Sequence, residues 1–345
     1  MRAGTVLCGA VKTRLEDIAA HAGVSAATVS RVVNGKPGVS DATRQAVLDA
    51  AELLGYDRRP NASRPTSGLV GVIVPELDNP IFPLFAQHIE YALAAHGAAP
   101  MLCTSSPVIQ EDEYLDLLLE HDVAGIVLVA GRHANTEVDH ARYAELRADG
   151  IPLVFINGYV EGVQAPFVSA ADAAAMRAAV EHLHSQGHRR IGCVMGPARY
   201  STSQRKVRGF IEAMNDNGAE GVDPQDLVGH SVFTVSGGQS ATHPLLDRGV
   251  TAIVSGNDLM AVGVIRAARE RGLRVPDDLS VIGFDGAPLF ALTDPPLTTL
   301  RQDVEAMSRH AVDTLIDEIA GGSPTPGEML FPTELILRRS TARVP

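Results

Sequence analysis

Two sets of residues are spaced to bind other molecules. In the run Gly23 to Gly35, GVSAATVSRVVNG, the residues Ser25, Ala26, Ala27, Thr28, Ser30, Arg31 and Asn34 share the outward side of a short helix, and none is acidic. A face that is small and hydrogen-bonding, with no carboxylate to meet phosphate, suits the DNA major groove. In the second set, polar residues close apolar runs: Asn157 after IPLVFI, Asn257 and Asp258 after TAIVSG, Asp285 after LSVIGF, and Pro75 to Phe82 (PELDNPIF) after LVGVIV. If those runs are strands of open α/β sheets, the polar residues gather at the carboxyl ends, where such sheets bind ligands. A carboxylate and an amide pointing into a cleft suit sugar hydroxyls or a nucleobase edge.

Catalytic and metal chemistry find less support. The chain has no G-x-S-x-G, H-E-x-x-H, Walker loop or G-x-G-x-x-G motif, so it does not read as an enzyme. His182, His184 and His188 lie close together in HLHSQGH, but on a helix His182 and His184 point to different faces. No metal or other cofactor is expected. The three cysteines, Cys8, Cys103 and Cys193, are odd in number and widely spaced, which argues against both a disulfide framework and a thiolate site.

The first set must be positioned by helices. Thr13 and Glu16 form a capping box, so a helix starts near Arg14 with Leu15, Ile18, Ala19 and Ala22 on its inner face. Gly23 turns the chain, Val24 plugs the turn, and Ser25 caps a second helix running to about Asn34. After GKPG, Ser40 or Asp41 caps a third, with Ala46, Val47, Ala50, Leu53 and Leu54 as its inner stripe. That order is a helix-turn-helix on a small core. Charge divides along the same line. Residues 1–65 hold nine basic and six acidic side chains, a net of +3, while the remainder holds 20 basic and 35 acidic, a net of −15. A basic head and an acidic body fit a head that meets phosphate.

From Leu69 onward, apolar runs rich in β-branched residues alternate with helical segments. LVGVIVP, APMLCTS, AGIVLVA and IPLVFIN form one series; RRIGCVM, LVGHSVF, TAIVSGN and LSVIGFD form a second. Two βαβ series imply two parallel sheets with helices on both faces. No apolar run approaches the ~18 residues of a membrane span. MRAGTVLCGAVKTR is too short and interrupted for a secretory signal, and the protein is expected in the cytoplasm.

The runs LEDIAAHAGVSAATVSRVVNG and VSDATRQAVLDAAELLGY, followed by PN, resemble the LacI/GalR family of transcriptional regulators. The body resembles that family's effector-binding core, which is similar to periplasmic sugar-binding proteins, through GVIVPELDNPIF, GHRRIGCVMGP, RGFIEAM, SGNDLMAVG, RVPDDLSVIGFD and PPLTTLRQD. The implied architecture is an N-terminal all-α helix-turn-helix head (residues 12–58) and a linker (59–68), then a two-lobed α/β core resembling periplasmic binding proteins. Its first lobe spans 69–168 plus 299–331, and its second 169–298 plus 332–345. By the resemblance Ala26, Ala27 and Arg31 stand where base edges are read, and Ser25, Thr28, Ser30, Asn34, Ser40, Thr43 and Tyr56 where the DNA backbone is held. The alanines can only touch thymine methyls, so polar readout falls on Arg31, whose fork suits guanine O6 and N7. The same resemblance places Asn257 and Asp285 against the effector, with Phe82 and Phe233 as walls and Gln302 nearby.

The sequence also departs from the family. Lys206 stands where an effector-gripping arginine is usual, Gly286 where a second aspartate is common, and the link RRPNASRPTSG is short and has no leucine before Leu69. The expected protein is a homodimeric regulator, a repressor by its resemblance, that binds a pseudo-palindromic double-stranded DNA operator. A small carbohydrate or nucleoside effector controls it, with no membrane involved. The rival reading is a regulator of the same fold with no small-molecule effector, controlled by a partner protein or constitutive.

Overall fold

The computed structural model of the chain describes residues 15–33, 39–54, 68–105, 110–217 and 221–344. It forms two compact units, residues 1–63 and 64–345. In the first, α1 (Leu15–Ala22), α2 (Ala26–Val33) and α3 (Asp41–Leu53) enclose a core of Ile18, Ala19, Val29, Val32, Val47 and Ala50. Gly23 takes φ +67° at the turn, where a side chain would be strained. Ser25 Oγ accepts from Thr28 N at 3.1 Å, and Ser40 Oγ from Thr43 N at 3.3 Å, so serine caps both later helices. The inner stripe of α3 is narrower than its sequence suggests. Val47 and Ala50 are buried and Leu54 packs against them, one helical face at spacings of three and four, while Ala46 and Leu53 on its flank are exposed. Thr13 of the capping box, Asn34, Tyr56, Cys8, Gly218 and nearly all of the linker lie outside the described residues, as do the side chains of Leu15, Glu16, Ala27 and Ser30.

The second unit begins with β1 (Leu69–Val74), α4 (Ile81–Ala95), β2 (Ala99–Thr104), α5 (Glu111–Glu120), β3 (Gly125–Val129), α6 (Ala141–Ala148), β4 (Leu153–Ile156) and β5 (Pro166–Ala170). The series α7 (Asp172–Ser185), β6 (Ile191–Met195), α8 (Ser201–Asp216), β7 (Val228–His230), α9 (Val235–Asp247), β8 (Ala252–Ser255), α10 (Asp258–Glu270), β9 (Ser280–Asp285) and β10 (Thr298–Arg301) follows. It closes with α11 (Val304–Ile319), β11 (Gly327–Phe331) and β12 (Glu334–Ile336). The strand orders are β11-β5-β4-β3-β1-β2 and β12-β10-β9-β8-β6-β7. Every pairing is parallel except β10 with β12, which puts one antiparallel strand at the edge of the second sheet.

The chain therefore crosses between lobes three times: after β5, after β10 and after β11. The first two crossings lie slightly beyond the sequence-derived boundaries, since β5 runs on to Ala170 and Thr298–Arg301 pairs with β9. Strand ends pass into crossovers without a change in composition, so apolar patterning does not fix them. Burial alternates along β1 as a sheet covered on both faces requires. Val70, Val72 and Val74 join the cluster under α4 and α11, while Ile73 joins the cluster on the opposite face. In the second lobe α9 and α10 cross closely: a Cβ on Gly263 would lie 2.1 Å from Val235 O. That approach holds α10 with its N-terminus at the ends of the strands.

Candidate functional site

Between the lobes, at the carboxyl ends of both sheets, lies a cavity of about 210 Å³. All six residues that the family resemblance places at the effector, Phe82, Lys206, Phe233, Asn257, Asp285 and Gln302, line it. Four non-glycine residues among those described have positive φ, and three of them line this cavity: Ala130 (φ 46°), Asn157 (φ 58°) and Asp285 (φ 102°). Each follows or ends a strand of the sheets. Conformations of this kind cost on the order of 1–3 kcal/mol each and persist where the surrounding structure over-determines them, often at binding sites.

A chain of hydrogen bonds crosses the cavity from lobe to lobe. Gln302 Nε2 donates to Asp285 Oδ1 at 2.8 Å, and Asn157 Nδ2 donates to Gln302 Oε1 at 2.9 Å. Asn157 Oδ1 in turn accepts from Ala170 N at 3.2 Å. Burial pushes the Asp285 carboxyl up to about 6, against the opposing pull of Lys206 and the Gln302 hydrogen bond. Asp258, buried beside it, is raised by burial and by the charge of Asp285.

Asn257 and Asp258 have structural duties at this end of α10. Asn257 Oδ1 caps the helix by accepting from Met260 N at 2.8 Å, which leaves its amide nitrogen for the cavity. Asp258 Oδ2 accepts from Gly286 N at 2.9 Å and Ala287 N at 3.2 Å, and its Oδ1 from Thr299 Oγ1 at 2.6 Å. Asn257 is thus the N-cap of α10. Asp285 is bonded instead to side chains of the cross-lobe chain.

Lys206 is buried and already engaged. Its Nζ donates to Gly256 O at 3.0 Å, stands 3.4 Å above the Phe284 ring centroid, and lies 3.8 Å from Asp172 Oδ1. Asp172 also accepts from Arg205 Nε at 3.1 Å, and Arg205 reaches Glu328 at 2.6 Å, which ties α8 to β11 of the other lobe. Phe233 covers Gly196, where any Cβ would lie within 2.0 Å of the ring, and Tyr200 packs beside it at 5.9 Å between centroids.

Comparison with known proteins agrees with both halves of the chain. The model for bacterial regulatory proteins of the lacI family matches residues 14–61, and that for a periplasmic binding protein-like domain matches 180–341. The HTH-type transcriptional regulator MalR of Streptomyces coelicolor is 52% identical over 338 residues, covering 96% of this chain and 98% of the relative. The chain belongs to the LacI family. The HTH-type transcriptional repressor CytR of Escherichia coli K12 is 34% identical across 96% of this chain and 97% of its own length. A solved complex of the regulator CelR with cellobiose superposes with a TM-score of 0.71 at 31% identity, covering 95% of this chain and all of that one. The lac repressor dimer bound to operator and the anti-inducer ONPF gives 0.68 at 28%, covering 96% and 100%. This LacI-family chain is thus a DNA-binding transcriptional regulator and not an enzyme. Among the described residues no helix is long and apolar enough to cross a membrane.

The two departures that fall within the core have different local settings. Gly286 has φ +75°, and a Cβ there would lie 2.5 Å from Arg301 Cβ, so this chain admits only glycine at that point. Lys206 offers a single charge held by Gly256, Phe284 and Asp172, where an arginine would present a fork.

On the LacI-type head, Ser25, Ala26 and Arg31 are exposed along α2 and its cap, and Thr28 is half-buried with Oγ1 2.9 Å from Ser25 Oγ. Ser40 is exposed and bonded to Thr43, 2.8 Å between hydroxyls. In the core, His188 is buried among Thr251, Ser280 and Ala342 O, the partners of an ordinary interior histidine. Sequence reasoning passed over Asp172, Tyr200, Thr202 and Phe284 as cavity residues, and reached Asn79 only as part of the stretch Pro75 to Phe82. Asn79 and Tyr200 sit in loops directly after strand runs, a signal already present in PELDNPIF and GPARY.

Proposed function

We propose that this regulator acts in the cytoplasm as a homodimeric repressor of a pseudo-palindromic operator and that a small sugar in the interlobe cavity controls it. The observation that carries the sugar reading is the cross-lobe chain Asp285, Gln302 and Asn157, flanked by Phe82 and Phe233. Acceptors and amide donors suit hydroxyl groups, and aromatic walls suit the C–H faces of a pyranose. The solved neighbours that hold cellobiose and ribose agree with this class. Because the chain joins the two lobes, a ligand that inserts hydroxyls into it favours one lobe arrangement over another, which is how a bound sugar would shift DNA affinity.

The DNA reading rests on the acid-free outward face of α2, with Arg31 as its polar reader and Ser25, Thr28, Ser40 and Thr43 beside it. The dimer reading rests on an apolar surface around Leu77, Pro80, Leu102 and Leu289, beside the edge strand β2, whose Leu102 is 47% exposed. A second copy would cover both the patch and the open edge.

A thermal-shift panel of sugars and nucleosides tests the effector reading. A ligand at 100 times its Kd stabilises the folded core by about 2.7 kcal/mol. A sugar hit that also changes operator retention in a gel supports the reading. A nucleoside hit replaces the sugar, and a blank panel favours the regulator without a small-molecule effector.

A further inference from the structure

The interlobe cavity is smaller than most ligand sites. At about 210 Å³ it falls below the ~300–1,000 Å³ typical for drug-sized molecules. It is not isolated, however. A second space of about 600 Å³ adjoins it, and Pro75, Ala130 and Tyr200 line both. Together the two reach the usual range.

The adjoining groove is polar and firmly built. Glu111, 5% exposed, accepts from Arg132 N at 2.9 Å and from the Tyr143 hydroxyl, and its carboxylate keeps further lone pairs for a ligand hydroxyl. Asn135 Oδ1 accepts from Glu137 N at 3.1 Å, leaving its amide nitrogen to donate. The Arg132 guanidinium is engaged by Asp112 and by Asp139 O at 3.2 Å. At the junction the backbone of Tyr200 is held by the first lobe: it forms a β-bridge with Asn135, and Thr136 N donates to Arg199 O at 2.7 Å. The Tyr200 ring, 5.9 Å from that of Phe233 between centroids, lines both spaces. The cations that line the two spaces, Lys206 and Arg132, already face Asp172 and Asp112, and the remaining acids Asp285 and Glu111 disfavour a phosphorylated ligand.

We propose that the effector is an uncharged linear oligosaccharide, with one ring in the closed cavity and the next carried across Tyr200 into the groove at Glu111 and Asn135. This rests on the sugar reading above and adds to it the length of the ligand and a second subsite.

Calorimetric titration of the full-length protein with glucose, galactose, cellobiose, lactose, maltose and maltotriose tests it. At least one of the longer sugars should bind about tenfold or more tightly than either monosaccharide, a difference well resolved in Kd. Val138 lines only the groove. Val138→Trp, which fills that space, should abolish the gain while leaving monosaccharide binding unchanged. Asn135→Ala, which leaves the groove open, should reduce the gain and serves if the tryptophan variant fails to fold. Monosaccharides that bind as tightly as every longer sugar would overturn the proposal and leave the sugar reading standing. So would a length preference indifferent to both variants. If no sugar of any length binds, the sugar reading falls and the proposal with it.

Discussion

The head and the cleft each rely on few charged groups, but in opposite solvents. On α2, Arg31 is exposed to water among small neutral side chains. In the cleft, Lys206, Asp172, Asp258 and Asp285 are all buried. An exposed charge costs little to keep and is screened by salt. A buried charge is costly, and its protonation depends on its neighbours. The comparison teaches that DNA affinity in this protein should respond chiefly to ionic strength, and effector affinity chiefly to pH.

The largest effect is expected in the cleft. Asp285→Ala removes the acceptor that anchors the cross-lobe chain and deprives Gln302 Nε2 and Lys206 of its charge. Truncating one partner of a buried charged pair costs about 2–5 kcal/mol of binding, so effector affinity should fall by roughly 30-fold or more. Operator binding without effector should be preserved, since the head is a separate unit. An unaltered effector dose response in a gel-shift assay would remove Asp285 from the site.

The head should show a smaller, sequence-dependent loss. Arg31→Ala is expected to cost about 1–3 kcal/mol per half-site and to flatten the preference for operator over random DNA, with thermal stability unchanged because Arg31 faces outward. A variant that footprints the same operator with its preference intact would show that another residue does the reading.

Protonation of Asp285 separates stability from affinity. Its folded-state pKa, about 6, lies above the usual aspartate value, so the folded protein holds more protons than the unfolded chain between about pH 4 and 6. Its contribution is therefore present at low pH and is lost as pH rises through 6. Effector affinity should run the other way, because only the ionised carboxylate is purely an acceptor. Asp285→Asn keeps the shape, removes the charge, and should raise the melting midpoint at pH 8 relative to the parent but not at pH 4. Equal shifts at the two pH values would mean that the burial of this carboxylate carries no such penalty.

How much of this was legible in the sequence depends on the kind of signal. The runs that became β1 and β6 were plain because parallel strands covered on both faces are almost wholly apolar, and the six effector residues came from motif resemblance to a known family. The short strands β10 (TTLR), β11 (GEMLF) and β12 (ELI) carry polar residues at sheet edges or crossovers and give no such pattern. The placement of Tyr200 was hidden for a different reason. It is set by contacts between Asn135 and Tyr200, 65 positions apart in opposite lobes, and no local spacing encodes them. Gly286 shows the converse: it reads as a missing acid in sequence, and only the proximity of Arg301 explains it.

The smallest expected effect belongs to the linker, where the comparison between exposed and buried charge can be sharpened furthest. Family members usually follow PN with a short helix whose leucine wedges into the minor groove. Here Arg58 to Gly68 reads RRPNASRPTSG, and Pro65 both lacks an amide and restricts Arg64, which disfavours a regular helical turn across that point. Without an apolar wedge nothing offsets the cost of unstacking a base step, so a cyclic-permutation gel should show little bending at the operator centre. We propose instead that Arg58, Arg59 and Arg64 form an extended basic arm along the phosphates or in a narrow minor groove. An arginine that neutralises a phosphate releases counterions, so replacing the three arginines with alanine should lower the log–log salt slope of binding by roughly 0.9 for every phosphate no longer neutralised. The cavity is lined by residues from Pro75 to Gln302, so the triple variant should leave effector affinity and its pH profile untouched. A sharp central bend would restore the wedge, and an unchanged salt slope would reduce the linker to a tether and leave Arg31 and the rest of the head to supply the salt dependence.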